Sequence, residues 1–142
     1  MSFRAPLIIL ACAAVLDRIV KQLALSGIVE GVFVTREFFG LVSFPPVAGI
    51  AIALAACAAF ALHLAMNRSR QVAVYDAAIL FGAMSNLFDR IAYGGVVDWL
   101  PLANLTVLNG SDMLIVGGAM GLFYQEFVTR PPEADQSLAD NS

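Results

Sequence analysis

Charge is what this chain has least of. Asp, Glu, Lys and Arg make up 13% of the 142 residues, and hydrophobic residues make up 60%. A soluble domain typically carries about a quarter charged residues, so an ordinary water-facing surface is excluded and lipid is the indicated surrounding. His63 is the sole histidine, which excludes a Cys–His pair at motif spacing and histidine-based metal clusters. Cys12 and Cys57 both lie in apolar runs, where thiols pack as small hydrophobes. No zinc spacing exists, nor an HExxH motif or a glycine-rich phosphate loop, so neither metal nor cofactor is expected. A basic surplus is also missing. Eight Lys and Arg face eleven Asp and Glu, for a net charge of -3. Glu133, Asp135 and Asp140 carry the imbalance, leaving a neutral body with no footprint for nucleic acid.

Length implies one domain. We expect a four-helix body over residues 1–130 and a disordered acidic tail over 131–142. A transmembrane helix needs roughly 20 mostly apolar residues. Val47 to Met66 is uncharged throughout. Val72 to about Phe88, about Asp112 to Val128, and Pro6 to Leu25 complete the set, the last interrupted by Asp17, Arg18 and Lys21. Those three charges are atypical of a cleaved signal peptide, and too little chain precedes "ILAC" for it to be a lipoprotein cleavage box. Arg4, Arg68, Arg70 and Arg130 then share one face, which the positive-inside rule makes cytoplasmic. The fold class expected is an all-α membrane protein. It has four transmembrane helices, both termini cytoplasmic, and a small extracytoplasmic β or amphipathic segment after the first helix. That segment, "GIVEGVFVTREFFGLVSFPP", holds "GVFVT" and "GLVSF", which read as short strands at the interface.

Ionisable groups within lipid each need a partner or a task. Asp17 and Lys21 stand four apart, acid first, the favourable order for a helical ion pair. Asp76 reads as an acid in the first turn of its helix, where the dipole favours it. His63 has no acid nearby in sequence and reads as packed or snorkelling. Gly117 and Gly121 form a GxxxG that reads as close helix packing. Trp99 and Tyr93 suit an interfacial belt.

The polar stretch "SNLFDRIAYGGVVDWLPLANLTVLNGSDM" then stands out, with Asp89, Asp98 and Asp112. A turn is expected at Gly94-Gly95, and Asn109 or Ser111 is a natural cap for the last helix. If the third and fourth helices are neighbours, Asp98 and Asp112 meet at the outer rim. Two such carboxylates share a proton, one serving as acid while the other activates water. Capping and ion pairing also explain each aspartate separately, and spacing alone leaves both readings open.

"GAMSNLFDRIAYGGVVDW" followed by "LNGSDMLIVGG" resembles the signal peptidase II family of lipoprotein signal peptidases. That family carries a GNxxDRxxxGxVxDF block, then FNxAD at the head of its last helix. Asn86, Asp89, Arg90, Gly94, Val96 and Asp98 match the first block, and Asn109 and Asp112 the second. "LDRIVK" resembles the family's DxxxK at Asp17 and Lys21. The resemblance implies a bacterial inner-membrane aspartyl endopeptidase with its site near the extracytoplasmic face. The implied substrate is a diacylglyceryl-modified prolipoprotein cut before its lipidated cysteine, and membrane lipid is the other partner. Asp98 and Asp112 fall on the catalytic positions. Asn86 and Asn109 would position the scissile carbonyl or orient the dyad. Asp89 and Arg90 would hold the loop, supported by Asp17 and Lys21. A monomer is expected.

The sequence departs from the family in places. "TREFFGLVSF" stands where an NxGxAF-type stretch is usual, and Ser85, Trp99, Leu108 and Ser111 replace the usual residues. The chain is also short for the family, which implies trimmed outer loops. Two other readings remain at this point: a catalytically inactive relative that binds lipoprotein precursors, and a small proton-relay or transport protein.

Overall fold

The computed structural model describes residues 4–28, 32–38, 42–43, 45–67, 69–102 and 106–128. The expected tail, Arg68, Arg130 and Phe39 lie outside them. Each apolar stretch forms a helix: α1 (Arg4–Leu25), α2 (Pro46–Met66), α3 (Arg70–Tyr93) and α4 (Gly110–Phe127). Pro46 opens α2 where its missing N–H costs nothing. Gly94 closes α3 in the left-handed conformation, at φ 73°, which a residue without Cβ adopts freely. Thus α3 runs to Tyr93, beyond the Phe88 expected, and α4 starts two residues before Asp112.

Short strands fill the connections: β1 (Phe33–Thr35), β2 (Glu37–Phe38), β3 (Val42–Ser43), β4 (Val96–Asp98), β5 (Leu100–Leu102) and β6 (Thr106–Leu108). They pair as antiparallel ribbons, β1 with β4, β2 with β3 and β5 with β6. The expected strand signals in "GVFVT" and "GLVSF" correspond to β1 and β3. The strands after α3 were not expected, since "VVDWLPLANLTVL" shows no clean alternation. In the β1–β4 ribbon Thr35 lies opposite Val96 and Phe33 opposite Asp98. The segment after α1 is therefore stitched to the loop that carries Asp98.

Burial is inverted relative to a soluble protein. Among the described residues, the largest fully buried side chains are Lys21, Val97, Asn109, Asp76, Asp89 and Ser111, and of these Val97 alone is apolar. Ile8, Ile9, Leu62, Met66, Met120, Phe123 and Phe127 are all exposed. A polar interior inside an apolar shell suits a hydrocarbon surrounding. By length and composition α2 and α3 are able to cross a membrane.

Three expectations are corrected. Asp76 lies in the second turn of α3, not the first, so the helix terminus does not account for it. It is fully buried and bonded to His63 Nδ1 at 2.8 Å across the α2–α3 contact, so His63 does have an acid partner. Trp99 is not a free belt residue, because its indole N–H donates to Asp17 Oδ1 at 3.0 Å. The Tyr93 hydroxyl likewise accepts from Gln22 Nε2 at 2.8 Å. Finally, Gly117 packs against nothing within 4 Å. The close approach of α4 to α3 uses Gly118 and Gly121, and a Cβ on Gly118 would stand 2.7 Å from the Tyr75 carbonyl oxygen. Gly118→Ala should therefore lower the melting temperature in detergent, through overpacking of about 1–3 kcal/mol. Gly117→Ala should leave it unchanged or raise it through better helix propensity. Equal effects from the two alanines would remove this contact from the fold.

Candidate active site

The site is assembled by two local devices. The first is the turn after α3. Gly94 reverses the chain, and Gly95 lets β4 press against β1, where a Cβ would stand 2.6 Å from the Thr35 carbonyl oxygen. Strand β4 then ends on Asp98, which is buried. The second is the start of α4. Asn109 caps it by accepting the Asp112 N–H at 2.9 Å, while Asp112 Oδ2 accepts the Asn109 N–H at 3.2 Å. This reciprocal capping box satisfies two orphan donors and fixes the Asp112 carboxylate.

Asn109 joins the devices. Its Nδ2 donates to Asp98 Oδ1 at 2.7 Å while its Oδ1 is engaged by the Asp112 N–H. Asp112 Oδ1 accepts from Asn86 Nδ2 at 2.8 Å. The orientation of Asn86 follows from its other end, where Oδ1 accepts from Lys21 Nζ at 2.9 Å. An ammonium only donates, so the amide oxygen must face it. Asp98 Oδ2 accepts from the Thr35 hydroxyl at 2.6 Å.

Behind this lies an ionic support. Lys21, with no exposed surface, pairs with Asp17 at 3.2 Å and with Asp89 at 2.7 Å. Asp89 also pairs with Arg18 and accepts the Val97 N–H at 3.3 Å. Asp89 thus ties the loop at Val97 to Arg18 and Lys21 of α1, whereas the expectation joined it with Arg90. Asp17 receives the Trp99 indole, the Gly110 N–H at 2.8 Å and the Ser111 hydroxyl. One carboxylate thus ties α1 to both the loop and the head of α4. Arg90 sits on the other side, lining the cavity with Asp98 and Asp112.

That cavity has a volume of about 250 Å³. Thr35, Asn86, Arg90, Asp98 and Asp112 give its polar end, and Ile52, Ala53, Ala56 and Phe60 of α2 give an apolar slot beneath. Asp98 is pushed up to about 6 by burial first, with the Asp112 charge adding, while Thr35, Asn109 and Lys21 oppose. Among the described residues, no cluster of three or more His, Cys, Asp or Glu side chains is placed to hold a metal ion. The arrangement holds one carboxylate that keeps its proton up to about pH 6 beside a second that is held by two N–H donors. Such a pair is able to activate a water and protonate a leaving group. All eight site residues expected from sequence gather here, whereas Thr35 and Trp99 were missed. Their partners lie 63 and 82 residues away, and no short-range pattern marks such a contact.

The two aspartates should respond differently to an amide. In Asp98→Asn the introduced oxygen still takes the Asn109 donor, and the Thr35 hydroxyl turns to accept from the new NH₂. In Asp112→Asn both neighbours are donors, Asn86 cannot turn because Lys21 holds its oxygen, and one buried bond is lost, worth about 1–2 kcal/mol. There is also a pH effect. Asp98 has a folded pKa above its ordinary value, so the native state binds the proton more tightly. The stability this contributes is present at acid pH and lost as pH rises from about 4 to about 6. Asp98→Asn should therefore melt no lower than wild type above pH 7, and Asp112→Asn lower. Melting curves that rank the two variants in the opposite order would refute this assignment of donors.

Comparison with known proteins gives one consistent answer. A family model described as signal peptidase (SPase) II matches residues 9–128. A lipoprotein signal peptidase of Nitrobacter hamburgensis is 36% identical over 90 residues, covering 58% of this chain and 55% of that protein. A lipoprotein signal peptidase of Methylorubrum extorquens is 32% identical over 96 residues, covering 65% of this chain and 56% of that protein. The chain thus spans little more than half the length of these curated relatives. A solved structure described as a bacterial membrane enzyme, determined by the in meso method at 2.3 Å resolution, superposes with a TM-score of 0.74. It is 14% identical, with 91% of this chain and 93% of that chain covered, and shows the fold.

Proposed function

Because the chain belongs to the signal peptidase II family, we propose that it is a membrane aspartyl endopeptidase. It removes signal peptides from diacylglyceryl-modified prolipoproteins, cutting before the lipidated cysteine. The observation that carries this reading is the bridge Asp98–Asn109–Asp112 at the polar end of a cavity whose remainder is apolar. The substrate class agrees with the names of the curated relatives. All four helices cross the bacterial inner membrane. In α1 the charges Asp17 and Lys21 turn inward while Ile8, Ile9, Val15, Leu16 and Ile19 turn outward, so these two charges are kept from lipid. Both termini are cytoplasmic, residues 131–142 form a cytoplasmic tail, and the dyad lies at the extracytoplasmic end. The protein acts as a monomer.

The chemistry follows from the donors around each carboxylate. Asp112, held by two N–H groups, is the ionised partner and takes a proton from water as the oxygen attacks the scissile carbonyl. Asp98, whose burial keeps its proton to about pH 6, donates toward the carbonyl oxygen. Collapse of the tetrahedral species then returns that proton to Asp98, and Asp112 passes the one it took to the leaving amine. Both carboxylates end as they began. A lipid anchor and an apolar signal helix would hold the bond at the depth of the dyad.

The test is purified protein with a lipidated precursor peptide. Asp98→Asn and Asp112→Asn should each cut cleavage more than about a hundredfold, the scale of losing a general acid or base. For wild type, kcat/KM should be bell-shaped in pH, with an alkaline limb near 6 as Asp98 loses its proton. Precursor binding without cleavage by the wild type would favour an inactive relative, and activity retained in either variant would remove that aspartate from the dyad.

A further inference from the structure

We propose that Thr35 is a positioning residue of the dyad, its hydroxyl holding Asp98 Oδ2 and biasing when Asp98 releases its proton; this rests on the peptidase reading above. The placement is built by the β1–β4 ribbon. Thr35 lies opposite Val96, so Asp98, two residues on, is its diagonal neighbour on the same face. Such neighbours are within reach of one another's side chains. The separation is held by Gly95, whose missing Cβ lets the Thr35 carbonyl come close. Thr35 therefore cannot drift from Asp98 unless the ribbon opens. The bond, 2.6 Å long, completes the coordination of Asp98, whose other oxygen is held by Asn109. Thr35 also lines the cavity, so the strand that carries it borders the space for substrate.

A hydroxyl is suited to this position because it works in both protonation states. Toward the carboxylate it donates. Toward the carboxylic acid it turns and accepts. The first bond involves an ion and is the stronger, so its removal penalises the ionised state most. The other groups around Asp98 are fixed by different elements. They are Asp17 and Lys21 on α1, Asp89 and Arg90 on α3, and Asp112 and Asn109 at the head of α4. Of the residues in β1, Thr35 alone is polar, and its loss changes no charge. Any shift it causes reads the hydrogen bond itself.

The experiment compares Thr35→Val, equal in shape but without the hydroxyl, with Thr35→Ser, which keeps it. Two readouts are taken on each protein. Melting temperature against pH follows the Asp98 proton with no substrate present, and kcat and KM against pH follow the reaction. Thr35→Val should move the Asp98 transition and the alkaline limb upward by roughly one pH unit. It should lower kcat about tenfold and change KM less than about twofold, the pattern of an interaction made in the transition state. Thr35→Ser should restore both transitions to the wild-type position. An unmoved melting transition in Thr35→Val overturns the proposal, as does a downward shift or a serine variant that behaves like valine. If no protein cleaves the precursor yet the melting transition moves as stated, the hydrogen bond stands and the peptidase reading fails.

Discussion

An ammonium with no exposed surface, Lys21, is the charge around which this molecule is organised. Moving such an ion out of water costs several kcal/mol unless it is paired and its protons are bonded. Lys21 meets that demand with Asp17, Asp89 and the Asn86 side-chain oxygen. Each of the three is thereby pinned, and each pins something else. Asp17 fixes Trp99, Gly110 and Ser111. Asp89 fixes Arg18 and the backbone at Val97. Asn86 fixes Asp112. The desolvation cost of one cation forces three elements, α1, α3 and the head of α4, into a single arrangement, and the bridge Asp98–Asn109–Asp112 inherits that rigidity.

The inverted burial gives the reason such a core is retained. In water, apolar side chains would fill the interior and the charges would stay outside. Here the apolar side chains have lipid to face, so close packing between α3 and α4 falls to Gly118 and Gly121, and specificity falls to hydrogen bonds. A buried polar network is stable when its donors and acceptors satisfy one another. That is why Asn109 is used at both ends and why the ribbon of β1 and β4 exists: it supplies Asp98 with a hydroxyl that α1, α3 and α4 do not provide.

How much of this was legible in the sequence depended on the range of each interaction. Helices with long apolar runs were placed within a few residues, because hydropathy is a local property. That Asp98, Asp112, Asn86, Asn109, Asp17 and Lys21 lie together was legible because they sit at fixed spacings within turns and caps that resemble a known family. The pairs His63–Asp76, Trp99–Asp17 and Thr35–Asp98 were not found. Each joins different elements and leaves no trace in spacing. The GxxxG at Gly117 misled for a related reason. The motif marks one face of a helix, but which glycine meets the neighbour depends on how α4 is rotated against Tyr75 and Ile79 of α3. Strands β4 to β6 are three residues each, too short for alternation to register.

The asymmetry of the two carboxylates is the last step from sequence to chemistry. Two identical acids in one cavity would share a proton without preference. Asp112 receives a side-chain N–H and a backbone N–H, both committed donors. Asp98 receives one amide donor and one hydroxyl, and the hydroxyl is able to reverse. Where every neighbour must donate, a carboxylic acid has no acceptor for its proton, so the two donors around Asp112 favour its carboxylate against the burial that disfavours it. Where one neighbour is able to accept, the acid is tolerated; burial favours the proton on Asp98, and the Thr35 hydroxyl, which bonds the carboxylate more strongly, opposes it. In the mechanism proposed above, the division of labour between acid and base rests on burial and on which hydrogen bonds around each aspartate are reversible. One side chain on a strand beside the cavity, Thr35, is the neighbour of Asp98 that is able to reverse.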